Sequence, residues 1–378
     1  MTSAGGLVSR AAFRAKDALL SGPAGGVVGM AEAGRRAGFD RVLGFDMGGT
    51  STDVARYDGA IDLVFAHEVG GVRLAAPAVA VESVAAGGGS ICAYVRGRLV
   101  VGPESAGSKP GPACYGAGGP LTLTDVNLLL GRLDPARFPI PVDRAAAAAA
   151  FERVRAAVEK DSGPTDGPGL LRGFVAIADE RMAEAVRTVT LRRGVDPRGF
   201  AVVAFGGAGG QHACAVAERL GIAAVVVPRD ASVLSADGLL RAVVERFAVR
   251  QMLAPLAPMD ATLPAAWRDL EREAVRAVVQ EGEPAADVRI ARRMAELRFQ
   301  GQDATLDVER PSDPSATALA AAFRDRYEAV FGAPPTDRAI ELVAIRVAAQ
   351  GPNVSFAADA GRDPSVAAAD AGGAAAAG

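Results

Sequence analysis

The chain has 378 residues, a formal net charge of −3 and a hydrophobic fraction of 50%. This length allows two domains or one large domain with a substantial core. Basic and acidic residues are mixed throughout, which argues against a basic face that binds nucleic acid. Because no apolar run reaches about 18 residues, we expect no membrane-spanning helix.

The sparse cysteines and histidines limit the kinds of site that the chain can build. Its three cysteines lie far apart without a Cys-x-x-Cys pair, which is typical of a reduced compartment and of a protein without structural zinc. The histidines are His67 and His212 alone, so a multi-histidine metal centre is excluded. The N-terminus has no apolar segment or cleavage pattern of a secretion signal, and we expect a cytoplasmic protein.

Hydrophobic patterning over the first 240 residues predicts alternating strands and helices, and therefore an α/β fold. Strands are predicted in a hairpin over 41–57, over 61–68, in a second hairpin over 94–101, and over 201–205 and 223–227. Helices are predicted after the glycines at 22–26, from an N-cap at Thr124, over 144–160, over 170–193 with Gly194 as C-cap, and up to Leu220.

The pattern changes after residue 240. Helices are predicted over 261–280 and 318–330, and strands over 288–300, 304–308 and 340–348. The last residues are rich in alanine, glycine and aspartate, a composition typical of disorder. We therefore predict one α/β domain over 1–240, a smaller α+β domain over 241–355 and a disordered tail over 356–378.

The turn of the first hairpin is the most informative segment. Asp46 and Asp53 flank two glycines and three hydroxyl residues, in the order Gly48, Gly49, Thr50, Ser51 and Thr52. Adjacent glycines allow a tight turn with positive φ, in which successive N–H groups converge on an anion. The hydroxyls can donate to phosphate oxygens, and Asp46 can hold a hydrated Mg²⁺. The segment predicts a nucleotide phosphate site.

Three other glycine clusters leave two interpretations each. The glycines at 22–26 can open a helix that binds an anion, or pack a helix closely on a strand. Gly87, Gly88, Gly89 and Ser90 can contact a ligand or another backbone. The cluster at 206–210 follows a strand, where nucleotides bind in open α/β sheets, but it does not satisfy Gly-x-Gly-x-x-Gly. It can instead form a flat surface for adenosine.

Two polar residues near these clusters favour structural roles. His212 follows the last glycine cluster, at the start of a helix, where packing or capping is the commoner role of histidine. Asp125 is most simply an acidic residue in the first turn of the helix predicted to begin near Thr124.

Taken together, these motifs resemble the hydantoinase A/5-oxoprolinase family, and the 5-oxoprolinase-like members in particular. The resemblance covers about residues 18–350. It rests on the segments 20–29, 44–54, 83–90, 101–107, 110–115, 123–133 and 205–214, with weaker likeness at 297–303 and 340–343.

The resemblance implies a fold of the actin/hexokinase/Hsp70 (ASKHA) type that binds ATP between two lobes. It also implies ATP-dependent opening of a cyclic amide, most simply 5-oxoproline to glutamate, through phosphorylation of the lactam carbonyl oxygen. The residues from Asp46 to Asp53 would then hold the phosphates and Mg²⁺, with the two aspartates catalytic. Gly206, Gly207, Ala208 and Gly209 would hold the adenosine, and the segment from Gly87 to Ser90 would line the substrate pocket.

The chain also departs from the family pattern. The family's first Asp-x-Gly-Gly-Thr loop is not found before the motif at Ser21, and Ala80 and Glu82 stand where relatives carry Asp and His or Asn. A B-type subunit is an expected partner. The alternatives are a hydantoinase, an ATP-dependent ketone carboxylase subunit, and a remnant that keeps the fold without turnover. The fold type is shared with sugar kinases and chaperones, but no feature of this sequence favours either.

Overall fold

A computed structural model describes residues 1–69, 71–191 and 194–352. Within these ranges the helices are α1 (Ser21–Arg36), α2 (Leu123–Leu129), α3 (Arg144–Ser162), α4 (Gly167–Leu191), α5 (Ala213–Leu220), α6 (Leu234–Arg241), α7 (Leu263–Gln280) and α8 (Ala316–Phe331). The strands there are β1 (Arg41–Met47), β2 (Thr52–Asp58), β3 (Leu63–Val64), β4 (His67–Val69), β5 (Val72–Leu74), β6 (Ala78–Val79), β7 (Val81–Val84), β8 (Ser90–Val95), β9 (Arg98–Ser105), β10 (Ala201–Phe205), β11 (Val225–Val226), β12 (Glu245–Pro255), β13 (Arg289–Phe299), β14 (Leu306–Glu309) and β15 (Ile340–Gln350).

A five-stranded mixed sheet organises the first part of the chain, in the order β11-β10-β1-β2-β7. Its strands β1, β2 and β7 form an antiparallel meander, whereas β10 and β11 run parallel to β1. Side chains alternate along β1: Leu43 and Phe45 pack in the core that includes α4 and α5, while Val42 packs in the core that includes α1. The sheet is thus covered by helices on both faces, as in an α/β fold.

A second sheet organises the chain after residue 244. It is antiparallel, in the order β12-β15-β13-β14. Helices α7 and α8 share a separate core with it, around the buried side chains of Trp267, Phe299 and Phe323. The Phe65 and Phe247 rings meet edge to face at 6.1 Å, which brings the two parts of the molecule into contact. The predicted division at residue 240 stays a prediction, and the predicted tail at 356–378 lies outside the described residues.

Several predicted elements are confirmed and several are wrong. The two hairpins, α3, α7 and β10 are present. The strand predicted over 61–68 is broken into the short strands β3 and β4, and helix α2 is capped by Thr122 rather than Thr124. Helix α1 already begins at Ser21, so the first glycine cluster lies inside the helix rather than before it. Strand β12 and helix α6 were not predicted from the sequence.

Candidate functional site

The turn between β1 and β2 presents backbone donors at the edge of the five-stranded sheet. Gly48 N–H donates to Ser51 O at 3.0 Å and closes the turn. The N–H groups of Gly49, Thr50 and Ser51 donate to no acceptor within the described part of the chain. Gly49 and Thr50 are exposed, and no side chain covers the Gly49 α-carbon. Unpaired N–H groups on consecutive residues are the arrangement that binds anions.

The positive φ predicted for the two glycines of the turn is wrong. Neither Gly48 nor Gly49 has a positive φ, so the turn does not need glycine for its backbone conformation. The open space beside Gly49 supplies the reason instead, because a bare α-carbon lets a ligand approach the main chain closely.

Two carboxylates lie at the base of this turn. Asp46 and Asp53 are directly opposite each other in the β1–β2 ladder, and both border a small cavity under α1. Burial, and then the charge of Asp53, raise the pKa of Asp46 from 3.8 to about 6, while a hydrogen bond with the Ser235 side chain lowers it. The Ser83 hydroxyl donates to Asp53 Oδ1 at 2.5 Å. The pair therefore concentrates negative charge beside the exposed N–H groups.

This pair fits a magnesium ion that is shared with phosphate. The described residues contain no group of three or more His, Cys, Asp and Glu side chains placed to hold a metal. Mg²⁺ commonly binds to proteins through one or two carboxylates and completes its shell with water and phosphate oxygens. A cation at Asp46 would also relieve the repulsion from Asp53 that contributes to the raised pKa of Asp46.

The triple glycine at 87–89 packs directly against the main chain of the turn. Gly88 N–H donates to Gly48 O at 3.0 Å, and Gly89 N–H donates to Gly49 O at 2.6 Å. A Cβ on Gly87 would lie 2.7 Å from backbone atoms of Gly49, Thr50 and Ser51. The second interpretation of this cluster, close approach of another backbone, is therefore the one that the structure supports.

Two predicted ligand-binding hydroxyls are directed into the protein. Thr52 is fully buried, and its hydroxyl donates to Ala86 O at 2.5 Å. Ser90 is fully buried as well, and its Oγ accepts from Gly87 N–H at 2.8 Å. With the three glycines also buried, this segment supports the turn and does not line an open pocket. The substrate-pocket assignment of 87–90 stays a prediction.

The fourth cluster lies on the other side of the turn. Gly206 has a φ of +78°, and a Cβ there would collide with Asp46 Oδ1 and Met47 O. Ala208 N–H donates to Met47 O at 3.0 Å, and the buried Gly209 lies against Phe45 O. Gly207 is exposed with open space beside its α-carbon, which leaves its main chain accessible to a ligand.

A buried polar network connects the helices behind these loops. His212 is fully buried; its Nδ1 lies 2.7 Å from Asp179 Oδ1, and its Nε2 lies 3.0 Å from Asn127 Nδ2. The Asp179 carboxylate accepts from His212 Nδ1–H, so the Nε2 atom is the acceptor for Asn127. Arg219 lies 3.4 Å from the second Asp179 oxygen. The structural interpretation of His212 is therefore the appropriate one.

The network closes a ring of contacts around the site. Thr124 Oγ1 donates to Gly88 O at 2.9 Å, which fixes the triple glycine to α2. His212 N–H donates to Gly209 O at 3.2 Å, which fixes the fourth cluster to the start of α5. The contact between Asn127 on α2 and His212 then sets the spacing of the two glycine segments.

Other residues that the sequence singled out have structural roles. Asp125 is buried and accepts hydrogen bonds from the N–H groups of Ala113, Cys114 and Thr122, as part of a capping box. Glu82 lies opposite Val54 in the β2–β7 ladder, one position beyond the Asp53–Ser83 pair. Two further residues, Ser83 on β7 and Ser235 on α6, contact the two carboxylates. They were not predicted as site residues because neither lies in a glycine cluster.

The glycines of the first cluster pack two helices together. A Cβ on Gly25 would collide with Ser235 O, and a Cβ on Gly29, about one turn after the cluster, would collide with Leu234 O. Close packing is therefore the interpretation that the structure supports. Helix α6 is one partner, and strand β10 is another, since a Cβ on Gly26 would lie 3.0 Å from the Phe205 ring.

Comparison with known proteins decides the family. The sequence profile of the family described as Hydantoinase/oxoprolinase matches residues 1–247. The chain belongs to this family. Among its relatives, a 5-oxoprolinase from Pestalotiopsis fici is 44% identical over 64% of this chain and 20% of its own length. The alpha subunit of caprolactamase from Pseudomonas jessenii is 32% identical over 87% of this chain and 49% of its own length.

Two solved structures share the fold of this chain. The crystal structure of ATP-dependent caprolactamase from Pseudomonas jessenii matches with a TM-score of 0.82 at 29% identity, over 93% of this chain and 52% of that one. Nucleotide-free acetone carboxylase matches with a TM-score of 0.65 at 26% identity, over the same shares. The predicted α/β fold of the ASKHA type is confirmed.

The chain covers only part of the length of these relatives. The chain spans about half of the two solved relatives and a fifth of the Pestalotiopsis 5-oxoprolinase. None of the helices in the described ranges is both long and apolar enough to cross a bilayer.

Proposed function

We propose that this chain forms the nucleotide-binding part of an ATP-dependent hydrolase that opens cyclic amides, with 5-oxoproline as the preferred substrate and glutamate as the product. The observation that carries the proposal is the exposed turn, where three unpaired N–H groups stand beside the Asp46–Asp53 pair. A triphosphate and its cation need this combination of backbone donors and carboxylates. The names of the relatives refer to two cyclic amides, 5-oxoproline and caprolactam.

The residues of the turn have separate roles in this proposal. The N–H groups of Gly49, Thr50 and Ser51 bind phosphate oxygens, and the accessible main chain at Gly207 lies against the adenosine. Asp46 holds Mg²⁺ with Asp53 beside it; the ion, when bound, neutralises charge on the phosphates. The buried Thr52 side chain is left with a structural role.

The chemistry suits a site without a nucleophilic side chain. A lactam carbonyl is a weak electrophile, so water alone opens the ring slowly. Transfer of the γ-phosphoryl group of ATP to the carbonyl oxygen releases ADP and converts that oxygen into a leaving group. Water then adds to the carbonyl carbon and the C–N bond breaks, which opens the ring and leaves an acyl phosphate. A second water displaces phosphate from this acyl phosphate, so that two water molecules are consumed overall. Positioning and electrostatic stabilisation supply such catalysis.

We propose a B-type subunit as the partner and assign the lactam site to the assembled enzyme. The caprolactamase relative is named as an alpha subunit, which supports a multi-subunit assembly. The residues at 87–90 are buried and offer this chain's substrate little contact. A second candidate, an ATP-dependent ketone carboxylase subunit, is favoured by the match to acetone carboxylase, although its TM-score is lower than that of caprolactamase.

The test measures ADP release by this chain within a complete A-type protein mixed with a B-type subunit. We expect release to depend on 5-oxoproline, with glutamate formed in equal amount. Release that depends on hydantoin, or on a ketone with bicarbonate, would instead support one of the alternatives. No release with any substrate, from a folded complex, would identify the chain as a remnant without turnover.

A matched pair of variants tests the turn itself. Asp46→Ala should lower kcat roughly 100-fold or more, because a group that stabilises transferring charge is lost. The control is Asp58→Asn at the far end of β2, where the carboxylate pairs with Arg41 and Arg56 near the surface. The proposal fails if Asp46→Ala turns over at the rate of the control.

A further inference from the structure

A second cavity lies between helices α1 and α6 and the four-stranded sheet. Its volume is about 410 Å³, within the range of small-molecule sites. Its lining is rich in arginine, from α1, from the end of α6 and from β13: Arg35, Arg36, Arg241, Arg289 and Arg292. We call it the arginine cleft.

The arginine cleft is separate from the phosphate turn. Pro23, in the first turn of α1, borders the cavity beside Asp46, whereas Arg35, in its last turn, borders the cleft. Twelve residues of α-helix separate these positions, a rise of about 18 Å. A ligand in the cleft therefore cannot be the phosphate bound at the turn.

Positive charge exceeds negative charge along the lining. Against five arginines stand two lining carboxylates, Glu32 and Glu245. Glu32 pairs with Arg35 and Arg36 on its own helix. Outside the lining, Asp237 accepts two hydrogen bonds from Arg241. The remaining positive charge lies on the β13 side, at Arg289 and Arg292.

That side of the cleft is held by a chain of polar contacts between three side chains. Gln350 Nε2 donates to Glu245 Oε2 at 2.6 Å, and Arg289 Nη2 donates to Gln350 Oε1 at 3.0 Å. Glu245 is 7% exposed, and burial raises the pKa of its carboxyl, while Gln350 and the charges of Arg292 and Arg289 lower it. The Glu245 carboxyl group thus already has a hydrogen-bond partner, the Gln350 amide.

Arg292 is the side chain that most needs a further acceptor. It is half-buried, and it donates no hydrogen bond to any group in the described ranges. A guanidinium carries five N–H donors that match carboxylate and phosphate oxygens. Polar groups that lose water without gaining an acceptor are unfavourable, so an anion at Arg292 would be stabilised.

The opposite wall of the cleft is apolar. Val28 and Ala31 line it from α1, and Ile61 and Leu63 line it from the segment after β2. Such a wall favours a carbon skeleton over a bare inorganic ion.

We propose that the arginine cleft binds a small organic anion with two or more carboxylate or phosphate groups. Arg289 and Arg292 bind the anionic groups, and the apolar wall takes the carbon skeleton. This proposal does not rest on the proposed function, because no residue of the turn takes part in it.

The test is calorimetric titration of the chain with citrate, with fructose 1,6-bisphosphate and with inorganic phosphate, at low ionic strength. Citrate and the sugar phosphate distinguish the carboxylate source from the phosphate source. We expect one of them to bind at least about tenfold more tightly than inorganic phosphate, since only an organic anion also contacts the apolar wall.

Variants test whether the anion binds at Arg289 and Arg292. Arg292→Gln should weaken it about tenfold or more, as should Arg289→Gln, whereas the exposed Arg137→Gln should leave it unchanged. Asp46→Asn should also leave it unchanged, which separates this outcome from any failure at the turn. Thermal unfolding of each variant checks its fold.

Three results would overturn the proposal. The first is equally weak binding of all three anions, or none at millimolar concentration. The second is binding that persists in both folded cleft variants. The third is binding by this chain that is absent from a complete A-type protein, because another part of that protein would then fill the cleft.

Discussion

The five-stranded and the four-stranded sheet of this molecule use their residues in opposite ways. At the edge of the five-stranded sheet, glycines and short polar residues bring main-chain segments together and leave N–H groups at the surface. In the four-stranded sheet, large apolar side chains such as Trp267 and Phe299 fill a core under two helices. The first region therefore depends on the absence of side chains and the second on their volume.

This difference teaches where each region can tolerate change. A core loses stability when volume is removed, while a main-chain contact loses it when volume is added.

The largest expected effect is in the four-stranded region. Trp267→Ala removes a buried ring that is 1% exposed, and it should lower the free energy of unfolding by about 3–5 kcal/mol. Denaturant titration measures the loss. Nucleotide affinity at a temperature where the variant is folded should not change. A variant that stays folded but binds no nucleotide would show that the two regions are more strongly connected than their separate cores indicate.

Gly87→Ala tests the opposite case. The added Cβ would lie 2.7 Å from backbone atoms of Gly49, Thr50 and Ser51, so the turn must move. We expect about 1–3 kcal/mol of destabilisation and, because the N–H groups move, roughly tenfold weaker nucleotide binding. Gly49→Ala is the control: its α-carbon faces open space and its φ is not positive, so stability should change by less than about 0.5 kcal/mol. Equal stability of the two variants would contradict the packing argument.

The network behind the glycine segments gives a comparable but more localised effect. His212→Leu removes the hydrogen-bond partner of the buried Asp179 and should destabilise the protein by about 1–3 kcal/mol. The double variant with Asp179→Leu should recover part of that loss, since neither polar group is then left unpaired. A double-mutant cycle measures the coupling. Fully additive losses would mean that the His212–Asp179 contact contributes nothing specific.

The smallest effect concerns pH. The pKa of Asp46 is about 6 in the folded protein against an ordinary 3.8, so the folded state holds a proton that the unfolded chain releases between these values. Stability contributed by that proton is present at low pH and is lost as pH rises through about 6. Asp46→Asn should therefore be more stable than the natural protein at pH 8, with the difference shrinking toward pH 4. Thermal unfolding across this range, with and without Mg²⁺, checks the sign.

The sequence predicted elements whose pattern is local. The hairpin around Gly48, helix α7 and strand β10 each combine a clear periodicity with turn or cap residues. Strand β12 was missed because most of its side chains alternate between half-buried and exposed, and because it contains polar residues such as Arg250 and Gln251. The strand predicted over 61–68 failed because its residues pair in two separate small sheets.

The candidate site was also predictable only where its residues form a local sequence motif. Asp46 and the glycines at 206–209 stand out in the sequence, and the structure brings them together. Their neighbours Ser83 and Ser235 come from β7 and α6, and tertiary packing alone places these residues at the carboxylates. The burial of Thr52 also follows from strand alternation: it lies on the face of β2 opposite to Asp53, toward Met182 of α4.

Helix α6 runs between the cavity beside Asp46 and the arginine cleft. Ser235 near its first residue contacts Asp46, and Arg241 at its last residue borders the arginine cleft. Six residues of helix separate them, about 9 Å. Helix α6 packs on α1 through main-chain contacts between Gly238, Gly25 and Gly29, without side chains between the two helices at that point. The main-chain packing of this one helix therefore fixes the positions of Ser235 at one cavity and Arg241 at the other.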